Sequence, residues 1–150
     1  MSGIAQVTQG GPKTFTPAVG QVIKGGQLVE ATTGGRIKVA AAGSAKVLGV
    51  ALTDALAPED FPGAGSTDSL GRPVVAAVPV PTKVAVAYGA TEVKVTYSAN
   101  AAFGDKLVAT ANGTVGPAAA TPDARTIVGV CTEPAGVTVS ANAVGLIRLV

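Results

Sequence analysis

Residues 26–55 read GQLVEATTGGRIKVAAAGSAKVLGVALTDA, and residues 104–135 read GDKLVATANGTVGPAAATPDARTIVGVCTEPA. Both stretches open on Gly, pass through Leu-Val and a Thr/Ala step, and reach a Gly turn. Both cross an Ala-rich stretch into an aliphatic-Gly-Val step, Leu48-Gly49-Val50 in one and Val128-Gly129-Val130 in the other. Both close on Thr, an acid and Ala. Turn glycines and small apolar residues recur; acids, bases and nucleophiles do not. Charged positions such as Glu30, Arg36, Lys38 and Asp105 are not shared, apart from the closing Asp54/Glu133 pair. The repeat therefore reads as a structural unit that builds two related halves.

The apolar periodicity around it is that of strands. Ile37 and Val39 alternate with Arg36 and Lys38, and Val93 and Val95 alternate with Lys94 and Thr96, which predicts strands with one buried face. Val47–Leu52 and Thr126–Thr132 are continuous apolar runs, expected to be buried on both faces. Asn112-Gly113 predicts a type I′ hairpin turn, because both central residues of that turn need positive φ. Gly34-Gly35 turns the first copy in the same place, and Gly25-Gly26 between Gln21–Ile23 and Gln27–Glu30 predicts another hairpin. Further strands are expected over Val74–Val80, Lys83–Tyr88 and Gly145–Val150, and one helical turn over Ala55–Asp60 with Pro58 near its start. Val95–Ala101 and Val137–Ala143 echo each other through Ser-Ala-Asn-Ala and predict a reused strand and turn.

Composition agrees. Of 150 residues, 47% are hydrophobic but only 3% aromatic, so the core must be Val, Ala, Leu and Ile. With 20 Gly and 10 Pro, helices are heavily interrupted. The fold class expected is all-β: a small β-barrel or sandwich of two related halves, with an extended N-terminal arm at residues 1–19 and a single β domain over residues 20–150. Residues 61–73, FPGAGSTDSLGRP, read as a long exposed loop.

Several function classes lose support at once. The chain has no His, which removes the commonest general base, the commonest metal ligand and the Ser-His and Cys-His pairs. Cys131 lies in an apolar run and is expected to be a buried, inert thiol. Asp54, Glu59, Asp60 and Asp68 cluster before and within the long loop, but their spacing fits no EF-hand loop. Asp105 has a neutral counterpart near Gln27 and is expected to serve its turn. No Gly-rich stretch matches a phosphate loop. Tyr88, Tyr97 and Phe103 are scattered and lack a basic patch, and a formal net charge of +2 implies no nucleic-acid groove. No run approaches about 18 continuous apolar residues, so no membrane span is expected. No enzyme activity, catalytic residue, cofactor or metal is expected. Charged residues are 13%, about half the usual share, which suggests that partners or other subunits cover part of the surface. The start, MSGIAQVTQGGPK, is not read as a signal peptide, so synthesis in a cytoplasm is expected.

The run Gly104-Asp105-Lys106-Leu107-Val108, the turn at Gly113, the Ala-rich spacing and Ile127-Val128-Gly129-Val130 resemble the small capsid decoration (cement) proteins of tailed bacteriophages. The first copy, Gly25-Gly26-Gln27-Leu28-Val29 to Val47-Leu48-Gly49-Val50-Ala51, is similar. The resemblance implies a barrel-like, often trimeric homo-oligomer on the outer capsid surface of the virion, clamping neighbouring major capsid protein subunits, with no catalytic residues to carry over. The arm, with Lys13 and Phe15 as anchors, is the expected capsid contact, and the 61–73 loop is its alternative. Two other readings compete: a soluble β-barrel module binding carbohydrate or peptide, and a head–tail or tail structural subunit. Scarce aromatics weaken the carbohydrate version.

Overall fold

A computed structural model describes residues 11–60, 69–72 and 81–150. Within them the chain is all-β, with no α-helix and only short 3-10 turns. The strands are β1 (Lys13–Phe15), β2 (Val22–Ile23), β3 (Leu28–Ala31), β4 (Ile37–Val39), β5 (Val47–Ala51), β6 (Ala55–Leu56) and β7 (Val84–Ala87) in the first half. The second half holds β8 (Glu92–Thr96), β9 (Lys106–Ala109), β10 (Val115–Pro117), β11 (Ile127–Cys131) and β12 (Val144–Leu149). The expected strand at Val74–Val80 and most of the 61–73 loop lie outside the described residues, as do residues 1–10 of the arm.

Two five-stranded sheets carry the architecture, in the orders β4-β3-β5-β7-β1 and β10-β9-β11-β12-β8. All neighbours are antiparallel, and the two orders are the same when the halves are superposed in sequence order. The agreement extends to register. Val29 faces Gly49 as Leu107 faces Gly129, and Ala31 faces Ile37 as Ala109 faces Val115. The register slips at the same place in both, leaving Leu48 and Val128 as the extra, bulged residues. A parallel bridge, Pro17 to Ile37 and Tyr97 to Val115, brings the two ends of each sheet together. The β2–β6 pair has its counterpart in a bridge between Ala101 and Val137. The halves differ most between β6 and β7, where residues 57–83 stand against residues 138–143.

The glycines explain why the repeat was kept at those positions. Gly34 and Asn112 have φ of 71° and 59°, and Gly35 and Gly113 follow with 70° and 67°. The Thr114 amide donates to the Ala111 carbonyl across Asn112-Gly113, closing the expected turn. Gly49 and Gly129 have no such backbone demand; they are small because the backbone of the paired neighbouring strand comes close to them. A Cβ on Gly49 would collide with the Ala87 carbonyl oxygen, and one on Gly129 with the carbonyl oxygen of Arg148, the matching residue.

Each half has its own interior. Ile23, Val29, Ile37, Ala51, Ala55, Val84 and Val86 fill the first, with Phe15 and Val39 at its margin. Tyr97, Leu107, Val115, Cys131, Val137 and Ile147 fill the second. Leu28, Ala40 and Val50 point out of the first half and join the second core, which welds the halves together. Backbone hydrogen bonds support the weld: Thr96 N to Gly26 O at 3.1 Å, Gly113 N to Ala40 O at 3.1 Å and Gly43 N to Ala109 O at 2.9 Å.

Four sequence expectations change. Gly25-Gly26 turns the chain, but β2 and β3 do not pair; β2 pairs with β6, far along the chain. The run Val47–Leu52 is not buried on both faces, since Leu48 is 37% and Leu52 42% exposed. Only the first Ser-Ala-Asn-Ala echo follows a strand; Val137–Ala143 is an isolated bridge followed by turns. Residues 13–18, read as part of the arm, are extended but hydrogen-bonded into the body: Lys13, Thr14 and Phe15 pair with Val86, Ala85 and Val84.

Candidate attachment surface

The chemistry-bearing side chains are spent on structure. Asp54 Oδ1 accepts from Gly25 N at 2.8 Å and fixes the turn before β3. Glu59 forms a two-pronged pair with Arg36, whose Nη1 also donates to the Pro17 carbonyl. The Arg36 guanidinium holds the Glu59 carboxyl at about 2, well below its ordinary 4.5. Asp60 accepts from Gly20 N. Pro58 opens the turn that presents Glu59 and Asp60, so the expected helical turn is a 3-10 turn at Pro58–Asp60. Asp68 lies outside the described residues. Among the described residues no group of His, Cys, Asp or Glu could hold a metal ion.

Asp105 behaves as its sequence context implied. Its Oδ2 accepts from Ala102 N at 2.8 Å, and Gln27 Oε1 accepts from Lys24 N at 2.8 Å in the matching turn. The closing acids are not equivalent in role: Asp54 serves Gly25, whereas Glu133 accepts from Leu146 N. Glu30 is a buried carboxylate. Burial pushes its carboxyl up, but hydrogen bonds from Ser44, the Ala41 amide and Lys38 outweigh this and leave it lowered. Cys131 is fully buried. Tyr97 is a core residue whose hydroxyl donates to the Leu146 carbonyl at 2.8 Å, and burial pushes that hydroxyl's pKa strongly upward. Phe103 is 65% exposed, so the three aromatics form no shared platform.

Besides Leu70, Phe103 and Val150, the exposed apolar side chains include two in the segment that leads from β1 into β2. Lys13 is exposed, and its Nζ lies 5.5 Å from the centroid of the Phe15 ring, a cation–π contact that leaves the Phe15 ring partly in the first core. The chain then crosses Pro17 and presents Val19 and Val22, 62% and 64% exposed. Val22 pairs with Leu56, so both lie on one face of the small β2–β6 ladder. The backbone of this segment is held by the Arg36–Glu59 and Gly20–Asp60 contacts, so it is a fixed surface. Lys13 and Phe15 are thus brought together, and Val19 and Val22, which sequence patterning did not single out, follow them in the chain as exposed apolar residues. Val22 is exposed because it alternates along β2 with Ile23, which takes the core face.

The sequence matches no family model and no curated protein. In fold, the chain is similar to the N base of the head fiber gp8.5 of bacteriophage phi29, known from a crystal structure. The TM-score is 0.57 with 18% sequence identity, covering 93% of this chain and 94% of that one.

Proposed function

We propose that the protein is a non-enzymatic structural component of a tailed-phage virion that attaches to the outer surface of the head. The observation that carries this reading is the fold likeness to the base of a phage head fiber across nearly the whole of both chains. The side chains support it. Asp54 and Asp105 hold turns, Glu59 pairs with Arg36 and Glu30 with Lys38, the single thiol is buried, and Lys13, Val19 and Val22 are exposed. Such a surface suits attachment repeated many times over a lattice, where modest contacts add up. In this reading the partner is the major capsid protein, the segment from Lys13 to Val22 is the contact, and the protein acts as a homo-oligomer, a trimer, that cements neighbouring capsid subunits.

The test is co-sedimentation with heads of the same phage prepared without the protein. Saturable binding at a fixed ratio to the capsid subunit is expected. Lys13→Glu and Val22→Asp are expected to weaken it about tenfold or more while leaving the unfolding midpoint nearly unchanged. Heads that take up no protein at any concentration would overturn the proposal.

A further inference from the structure

The two halves do not meet as equals. The second-half turn Ala111–Gly113 packs against the start of β3 and the end of β4 in the first half. Gly113 donates to Ala40 O, Asn112 O accepts from Gln27 Nε2 at 2.9 Å, and a Cβ on Gly113 would fall 2.6 Å from Leu28 O. In a two-fold arrangement the matching first-half turn, Thr33–Gly35, would sit on the second half in the same way. It does not: Thr33, Gly34 and Gly35 are exposed, and nothing lies within 4 Å of a Cβ on Gly35. The turn contact is head-to-tail, and a head-to-tail contact leaves one donor surface and one acceptor surface unused.

Both unused surfaces can be located by register. The residues that receive the turn are Gln27, Leu28, Val39 and Ala40. Their counterparts are Asp105, Lys106, Pro117 and Ala118. The local backbone is the same, since Ala118 N donates to Lys106 O as Ala40 N donates to Leu28 O. A shallow, open groove lies there, lined by Asp105, Lys106, Pro117, Ala118 and Pro122. Lys106 and Pro117 replace Leu28 and Val39, as suits a surface that must stay soluble before it is covered.

We propose that the Thr33–Gly35 turn of one copy docks into the Asp105–Ala118 groove of a second copy, repeating between chains the contact that Ala111–Gly113 makes within one. A head-to-tail contact repeated in this way forms a ring where its rotation closes and a filament where it does not, and the trimer reading takes the ring. This deepens the homo-oligomer reading above and rests on it, but it needs no capsid.

Two variants test it. Gly35→Asn places a side chain where Gly113 has no room; Asn tolerates positive φ, and the free chain has open space there. Ala118→Arg fills the groove; its counterpart Ala40 is buried at 2% exposure. Each is expected to raise the self-dissociation constant about tenfold or more in analytical ultracentrifugation, while circular dichroism and the unfolding midpoint of the monomer stay close to the parent's. Mixed, the two variants retain one intact turn-and-groove pair, so they are expected to form a dimer and stop there. A parent chain that is monomeric at high concentration overturns the oligomer reading itself. A parent oligomer that both variants leave intact, or a mixture that forms nothing, overturns the head-to-tail contact alone.

Discussion

Gly49 lies directly beneath the carbonyl oxygen of Ala87, so close that a methyl group could not fit between them. Strand β7 pairs with β5 from the next residue on, Val50 with Ala87, and Gly49 lies next to Leu48, the residue bulged out of the β3–β5 ladder. In the second half Gly129 lies beneath Arg148 in the same way, after the bulged Val128. The aliphatic-Gly-Val step common to both copies is thus the sequence trace of one close backbone approach made twice.

Gly49→Ala and Gly129→Ala are therefore expected to destabilise the fold by about 1–3 kcal/mol or more, the range of overpacking in a rigid surrounding. The obstacle in both is backbone, which cannot rotate away. Urea unfolding followed by circular dichroism measures it. A change within about 0.5 kcal/mol, as at an unremarkable surface position, would mean that the neighbouring backbone gives way to a methyl group.

Gly35 and Gly113 separate two reasons for a glycine. Both have positive φ, so replacement by Ala carries a similar backbone cost of about 1 kcal/mol at each. Only Gly113 also meets Leu28 O and the Val39 side chain. Gly113→Ala is expected to cost about 1–3 kcal/mol more than Gly35→Ala in the monomer. Equal costs in the same unfolding experiment would remove the packed contact between the turn and β3.

These positions also show what local sequence carries and what it omits. The turns at Gly34-Gly35 and Asn112-Gly113 were legible because turn geometry is a property of adjacent residues. The two related halves were legible because the glycines are demanded by close backbone approaches that recur. The partner of β2 was not: a Gly pair between two apolar runs implies a hairpin, yet Ile23 pairs with Ala55 across a long stretch of chain. The surface suffered from the same non-locality. Two adjacent apolar residues, Val22 and Ile23, do not say which of them takes the core face, and it is Ile23 that does. The roles of Glu59 and Asp60 were hidden too, since Arg36 and Gly20 reach them only in three dimensions.

The pair of Arg36 and Glu59 gives stability a defined pH dependence. Glu59 has a folded value of about 2 against an ordinary 4.5, so the unfolded chain binds its proton more readily. The contribution is fully present above about pH 4.5 and is lost as pH falls through about 2. Glu59→Gln should lower the unfolding midpoint at pH 7 and converge with the parent near pH 2. Because the pair is exposed, the difference should also shrink as salt is raised. A gap between the two proteins that stays constant from pH 7 to pH 2 would show that charge pairing is not its source.

Leu28 and Lys106 occupy the same place in the two halves, each one step before the register-defining pair with Gly49 or Gly129. Leu28 is fully buried between the halves, and Lys106 is exposed. Truncation should therefore have unequal effects at structurally identical sites. Leu28→Ala removes packing from the weld and leaves a cavity, with an expected loss of about 2–5 kcal/mol. Lys106→Ala is expected to stay within about 0.5 kcal/mol in the monomer. Unfolding measured at a concentration low enough to hold the chain monomeric distinguishes the two. A small effect at Leu28 would mean that the halves are held mainly by the three backbone hydrogen bonds at Gly26, Ala40 and Gly43, and not by the apolar seam.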